Sequence, residues 1–153
     1  MRSLTPPEPL RLNARRSSRY GSIYWNLGWS HDGRSIAFKA RNRDTGNDEL
    51  AVADFDSRDG LKVLYTTTGN INADFTFSPD NSQVLFAMHS PEHKAPRLFV
   101  CEVEEPGAPR LLEGQPSDLR IFDCAWSSDD VITFAGQQLP VPTEWTGNGG
   151  TTR

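Results

Sequence analysis

Apolar residues along this chain come in short runs, each closed by a cluster of turn-forming residues. Ser35-Ile36-Ala37-Phe38 is followed by the polar stretch Arg41 to Asn47 and then by Glu49-Leu50-Ala51-Val52-Ala53-Asp54-Phe55. Ser57-Arg58-Asp59-Gly60 makes a turn, and Leu61-Lys62-Val63-Leu64-Tyr65 comes next. The same order then returns. Gln83 to Met88 leads into the loop Ser90 to Pro96, then Arg97-Leu98-Phe99-Val100-Cys101-Glu102-Val103, a Pro-Gly turn, and Arg110-Leu111-Leu112. Runs of this length, bounded by Gly, Pro, Asn, Asp and Ser, predict β-strands. Their mostly apolar character predicts strands covered on both faces. No helical period of comparable length competes.

A repeat organises these strands. Trp29-Ser30-His31-Asp32-Gly33, Phe77-Ser78-Pro79-Asp80-Asn81 and Trp126-Ser127-Ser128-Asp129-Asp130 each open a segment that ends on a phenylalanine, at Phe38, Phe86 and Phe134. The aromatic anchors are 48 and 49 residues apart, the length of one four-stranded propeller blade. The third copy is one residue shorter across its turn. The Asp or Ser side chain can bond turn amides, and Gly33 or Asn81 accepts a positive φ. The expected fold is all-β: a partial propeller of about three blades at residues 22–68, 70–113 and 120–136, the third incomplete.

The pattern of aromatic, Ser, any residue, Asp, Gly and then an apolar run to Phe38 resembles the TolB-like, WD-related propeller repeat. The resemblance covers roughly residues 22–136. It implies blades of a six- to eight-bladed propeller, used as a protein-interaction platform or as a gating domain beside a peptidase. The Gly-His and Trp-Asp pairs of ordinary WD repeats are absent. One fold hosts many functions, so the resemblance speaks to architecture first.

Outside the two complete units the pattern fails. A third strand of blade three is due near Gly147, where Thr146-Gly147-Asn148-Gly149-Gly150 stands, and the tail from 137 to 153, with Pro140 and Pro142, reads as irregular. Residues 1–21 form a basic arm in which Pro9-Leu10-Arg11-Leu12 resembles Pro109-Arg110-Leu111-Leu112. This segment is either an outer strand that completes a blade or a loose arm. Three blades cannot close a ring, and the terminal faces, with Ile23, Tyr24 and Trp25 at one end and Ile121, Phe122 and Trp126 at the other, carry no polar cap. Terminal repeats normally need one. The expected partners are therefore a protein of unknown identity or a second copy of the chain, giving a six-bladed homodimer.

Charge narrows the classes further. Sixteen Lys and Arg against twenty Asp and Glu give a net charge of −4, which argues against nucleic acid as a partner. The positive charge gathers in the arm, at Arg2, Arg11, Arg15, Arg16 and Arg19. No run approaches a membrane span, and the N-terminus shows no apolar leader. A cytoplasmic location is expected, or a periplasmic one if the true N-terminus is missing. Cys101 and Cys124 lie in apolar runs outside any metal-binding spacing, and are expected as buried free thiols.

Candidate chemistry is sparse. No nucleophile elbow, phosphate-cradling loop or dinucleotide fingerprint is present, so the expected protein is no enzyme and takes no cofactor and no metal. His89, Glu92 and His93 would make only a weak metal set. Asn26, Asp74 and Asp123 each lie three residues before a repeat aromatic, on the strand expected nearest the central channel. Stacked there, they would attract a cation or a basic peptide, or they cap strand entries. Arg41, Arg43, His93 and Lys94 lie in equivalent loops of successive blades, the expected rim for a partner. Three functions stay open: an interaction or scaffold module, a piece of a propeller-containing enzyme such as a prolyl-oligopeptidase-like peptidase or a propeller lyase, and a channel that binds a ligand or cation.

Overall fold

A computed structural model describes residues 19–57 and 60–139. Ten strands account for its regular structure: β1 (Tyr20–Trp29), β2 (Ser35–Asn42), β3 (Asp48–Asp54), β4 (Leu61–Thr67), β5 (Ile71–Phe77), β6 (Gln83–Met88), β7 (Arg97–Glu102), β8 (Arg110–Leu111), β9 (Leu119–Trp126) and β10 (Ile132–Gln138). They form three sheets in simple meander order, β1-β2-β3-β4, β5-β6-β7-β8 and β9-β10, all antiparallel. The first strand begins at Tyr20, two residues ahead of the expected start of blade one. Gln137 and Gln138 belong to β10 rather than to an irregular tail, because their backbones pair with Arg120 and Leu119. The Pro9–Leu12 segment and the tail from residue 140 lie outside the described residues.

The three turn motifs close their hairpins in one way. Ser30 Oγ donates to Asp32 Oδ1 at 2.7 Å and accepts from the Ser35 amide at 2.8 Å. Ser78 repeats this with Asp80 at 2.6 Å and the Gln83 amide at 3.0 Å. The residue after Asp takes a positive φ each time: 72° at Gly33, 62° at Asn81 and 63° at Asp130. Gly, Asn and Asp tolerate that conformation best. In the shorter third copy the Ser127 backbone pairs with Val131, one residue sooner.

Strict alternation along the middle strands sorts side chains into three cores. Ala37, Leu50, Val52 and Leu64 of blade one meet Phe75, Phe77, Val84, Phe86 and Phe99 of blade two. Leu85, Ala87, Leu98 and Val100, on the other face of blade two, meet Ile121 and Cys124 of blade three. Ile36, Phe38, Ala40, Ala51 and Ala53 lie on the far face of blade one. That face was expected to stand open, and instead these residues are buried, clustered with Tyr20 and with Ile23, Phe55 and Val63 packed against them. Leu27 and Trp29 remain exposed there, with Trp29 stacked on Phe55 at 5.6 Å between ring centroids. Cys101 and Cys124 are free and buried on opposite sides of blade two. Burial pushes both thiols up to about 12, so both are inert at neutral pH.

Among the described residues blade three has two strands, β9 and β10. Phe38 and Phe86 each have a third strand beside them, through Ala51 and Phe99. Phe134 lacks such a neighbour among the described residues and is 38% exposed, like nearly all of β10.

Candidate functional site

The innermost strands β1, β5 and β9 lie side by side. Gly28 permits this approach, since a Cβ there would stand 2.1 Å from the carbonyl oxygen of Phe75. Each innermost strand also breaks register with its neighbour: between Ile23 and Leu27 in β1, between Ile71 and Phe75 in β5, and opposite Ala135 and Gly136 in β9. Asn26, Asp74 and Asp123 sit at or beside these breaks. An irregular register re-aims side chains that a regular ladder would alternate.

The result is a row of polar groups across the blades. Asn26 Nδ2 donates to Asp74 Oδ1 at 3.1 Å. Burial raises the Asp74 carboxyl, the Asp123 charge raises it further, and the Asn26 hydrogen bond works the other way. Asp123 itself is exposed. The three residues singled out in sequence are thus brought together, with a hydrogen bond on one side and like-charge repulsion on the other. Among the described residues no group of three or more His, Cys, Asp or Glu could hold a metal ion.

The rim residues divide. Arg41 donates to Asp48 Oδ1 from Nε at 3.1 Å and from Nη2 at 2.9 Å. Arg43 Nη2 donates to the Tyr20 carbonyl at 3.1 Å. Both guanidinium groups therefore hold blade one together before any partner is considered. His93 is half-buried, its ring centroid 6.4 Å from that of Phe99. Lys94 is exposed.

Sequence reasoning missed the buried ionic network behind Arg41. Lys39 Nζ, 7% exposed, pairs with Asp48 Oδ2 at 2.8 Å, donates to Asn70 Oδ1 at 2.8 Å and lies 4.3 Å over the Tyr24 ring. Glu49 accepts from Arg19 Nε at 2.9 Å and Nη2 at 2.8 Å, and from Asn42 Nδ2 at 2.8 Å. Burial alone would raise the Glu49 carboxyl, but these donors hold it below the usual range. The signal lay in the hairpin register, which sets Arg41 opposite Asp48 and Ala40 opposite Glu49. A buried carboxylate needs such partners, because leaving one unpaired is strongly destabilising.

Blades two and three are joined by a second device. Arg97, nearly buried, donates to the carbonyls of Pro116 and Ser117 and to that of Leu119 at 3.2 Å. Gln115 takes the place of a strand, accepting from the Leu98 amide at 2.9 Å and donating to the carbonyls of Leu98 and Leu112 at 3.0 and 2.7 Å. At the turns, His31 clips blade one to blade two, its amide 2.7 Å from Asn81 Oδ1 and its Nε2 3.1 Å from the Phe77 carbonyl.

No helix among the described residues is long and apolar enough to cross a membrane. No family model matches the chain, and no curated protein sequence matches it. Solved structures do. TolB of Agrobacterium tumefaciens superposes with a TM-score of 0.62 at 19% identity, over 81% of this chain and 42% of that one. TolB of Acinetobacter baumannii gives 0.51 at 17% identity, over 76% and 30%. The chain therefore has a TolB-like propeller fold, and it spans less than half the length of either structure.

Proposed function

We propose that this chain is a non-catalytic protein-interaction module of the TolB-like propeller type, and that its open third blade is where it meets its partner. The observation that carries this reading is the two-stranded blade three. Its sister sheets have four strands, while β10 presents an exposed outer edge among the described residues, with its Phe134 38% exposed and Val131, just ahead of it, 51%. Exposed edges with apolar side chains recruit further strands.

The partner we favour is a second copy of the chain. Phe77 and Trp126 each pack across a blade boundary. Trp29 holds the equivalent position in blade one and is 59% exposed. A preceding blade would cover it, and blade three of a second copy supplies one. Two three-blade stacks then make six blades in a closed, two-fold arrangement. Light scattering on the full chain at rising concentration tests this. The expected mass is twice that of the chain, with Trp29→Asp and Phe134→Asp shifting the equilibrium to monomer. A stable monomer well above micromolar concentration overturns the homodimer.

The proximity of Asp74 and Asp123 supports a second reading, a cation bound at the innermost strands. Calorimetry with divalent cations tests it against a variant carrying Asp74→Ala and Asp123→Ala. No heat from the unaltered chain removes it.

A further inference from the structure

Lys94 and Arg120 are the two cationic side chains of one groove, and neither forms an ion pair among the described residues. The groove has a volume of about 430 Å³ and opens on the rim between blades two and three. Asn70, Asn72 and His89 complete its polar wall, and Ala95, Pro96 and Leu139 its apolar wall. Among the described residues no acidic one lines it. Asn70 Oδ1 is already occupied by Lys39 Nζ at 2.8 Å, which leaves the Asn70 amide NH₂ as a donor. The groups available to a ligand are thus mainly donors, two of them charged.

The walls are also held in place. The His89 amide donates to the Asn70 carbonyl at 3.1 Å, tying the β4–β5 and β6–β7 connections together. Arg97 pins the segment from Pro116 to Leu119 that leads to Arg120. A concave surface of this size that offers both polar and apolar lining residues can seat a ligand. Exposed at a concave surface, the Lys94 and Arg120 charges attract carboxylates and other oxyanions.

We propose that this groove binds an acidic segment of a partner protein, with carboxylates on Lys94 and Arg120 and an apolar side chain against Pro96 and Leu139. The proposal rests on the interaction-module reading but names a different surface from the β10 edge. Two separate measurements therefore distinguish their failures. The mass of the chain tests the edge, and the following titration tests the groove.

The isotope-labelled full chain is titrated, by NMR, with a blocked peptide of two glutamates between two leucines. The expected result is saturable shifts confined to Asn70, Asn72, His89, Lys94 and Arg120, weakening as salt is raised. Lys94→Ala and Arg120→Ala each weaken binding by about fivefold, since each removes one charged but solvent-screened contact. Lys94→Glu together with Arg120→Glu abolishes it while the spectrum outside the groove stays unchanged. Three results would each overturn the proposal: no shift at millimolar peptide, equal shifts from the peptide with glutamines in place of glutamates, or undiminished binding by the doubly reversed variant. Inorganic phosphate is titrated in parallel. If it displaces the peptide fully and binds as tightly, the groove is a small-anion site and the acidic-segment proposal falls.

Discussion

The side-chain amide of Asn26 donates to the carboxylate of Asp74 at 3.1 Å, joining the innermost strands of two blades across 48 residues of chain. Among the described residues Asp74 takes this one side-chain donor, while burial and the Asp123 charge both disfavour its ionised form. A raised carboxyl binds its proton more tightly in the folded state than in the unfolded one. Stability therefore falls as pH rises through the ordinary aspartate range and on through the raised folded value.

Asp74→Asn removes that penalty and keeps an acceptor for Asn26. At neutral pH the variant is expected to be more stable by up to about 1 kcal/mol, after allowance for partial exposure. The gain should vanish below the aspartate range, where the native carboxyl is already neutral. Thermal unfolding of both proteins across pH checks it. A loss of stability at pH 7 would show that Asp74 has a favourable partner.

Gly28→Ala should be among the most damaging single-methyl changes. The added Cβ would lie 2.1 Å from the Phe75 carbonyl oxygen and 2.7 Å from its carbon, and neither backbone atom can swing away. The blades must separate locally, at a cost of about 3 kcal/mol or more. Denaturant unfolding measures it. Gly46→Ala is the control, since no atom lies within 4 Å of a Cβ built there, although its φ of 71° adds some strain.

The turn carboxylates predict an acid limb. Hydrogen bonds from the Ser78 hydroxyl and then from the Ser82 amide and hydroxyl pull Asp80 down to about 2. Asp32 and Asp129 are held low in the same way, chiefly by Ser30 and Ser127. A depressed carboxyl stabilises the fold above its unfolded value, and that contribution is lost as pH falls towards the folded value. Asp80→Asn should flatten the loss of stability between about pH 4 and pH 2. Ser78→Ala, at a buried hydroxyl with two strong bonds, should cost about 1–2 kcal/mol at neutral pH.

Arg97→Ala should loosen blade three without unfolding the first two blades. The guanidinium serves three carbonyls in the 116–119 connection, and losing it leaves those acceptors without a charged donor, at about 2–3 kcal/mol. Hydrogen exchange should rise in β9 and β10 and stay unchanged in β2 and β3. Uniform acceleration over all three blades would mean that the stack unfolds as one cooperative unit.

The repeat and the alternation of its strands could be read directly from the chain. Trp29, Phe77 and Trp126, with the turns after them, fix three hairpins, because each turn is satisfied by residues within six positions of one another. Local hydrogen bonding and a side-chain period of two are short-range physics, and sequence records them in order. The identity of the polar residues at the innermost strands, Asn26, Asp74 and Asp123, was legible for the same reason. Their contact was not. It depends on register breaks within β1 and β5, and on a blade-to-blade approach permitted by the missing Cβ of Gly28. Likewise, Arg41 and Arg43 look like free rim charges until the fold brings Asp48 and the Tyr20 carbonyl to them. Lys94 and Arg120 are 26 residues apart in sequence and share a groove because Arg97, the Ile121 amide on the Pro96 carbonyl and the packing of Ile121 on Leu98 hold blade three against blade two. Which charges are paired and which stay unpaired among the described residues is set by long-range packing, where a side chain's neighbour is chosen by geometry and not by its place in the chain.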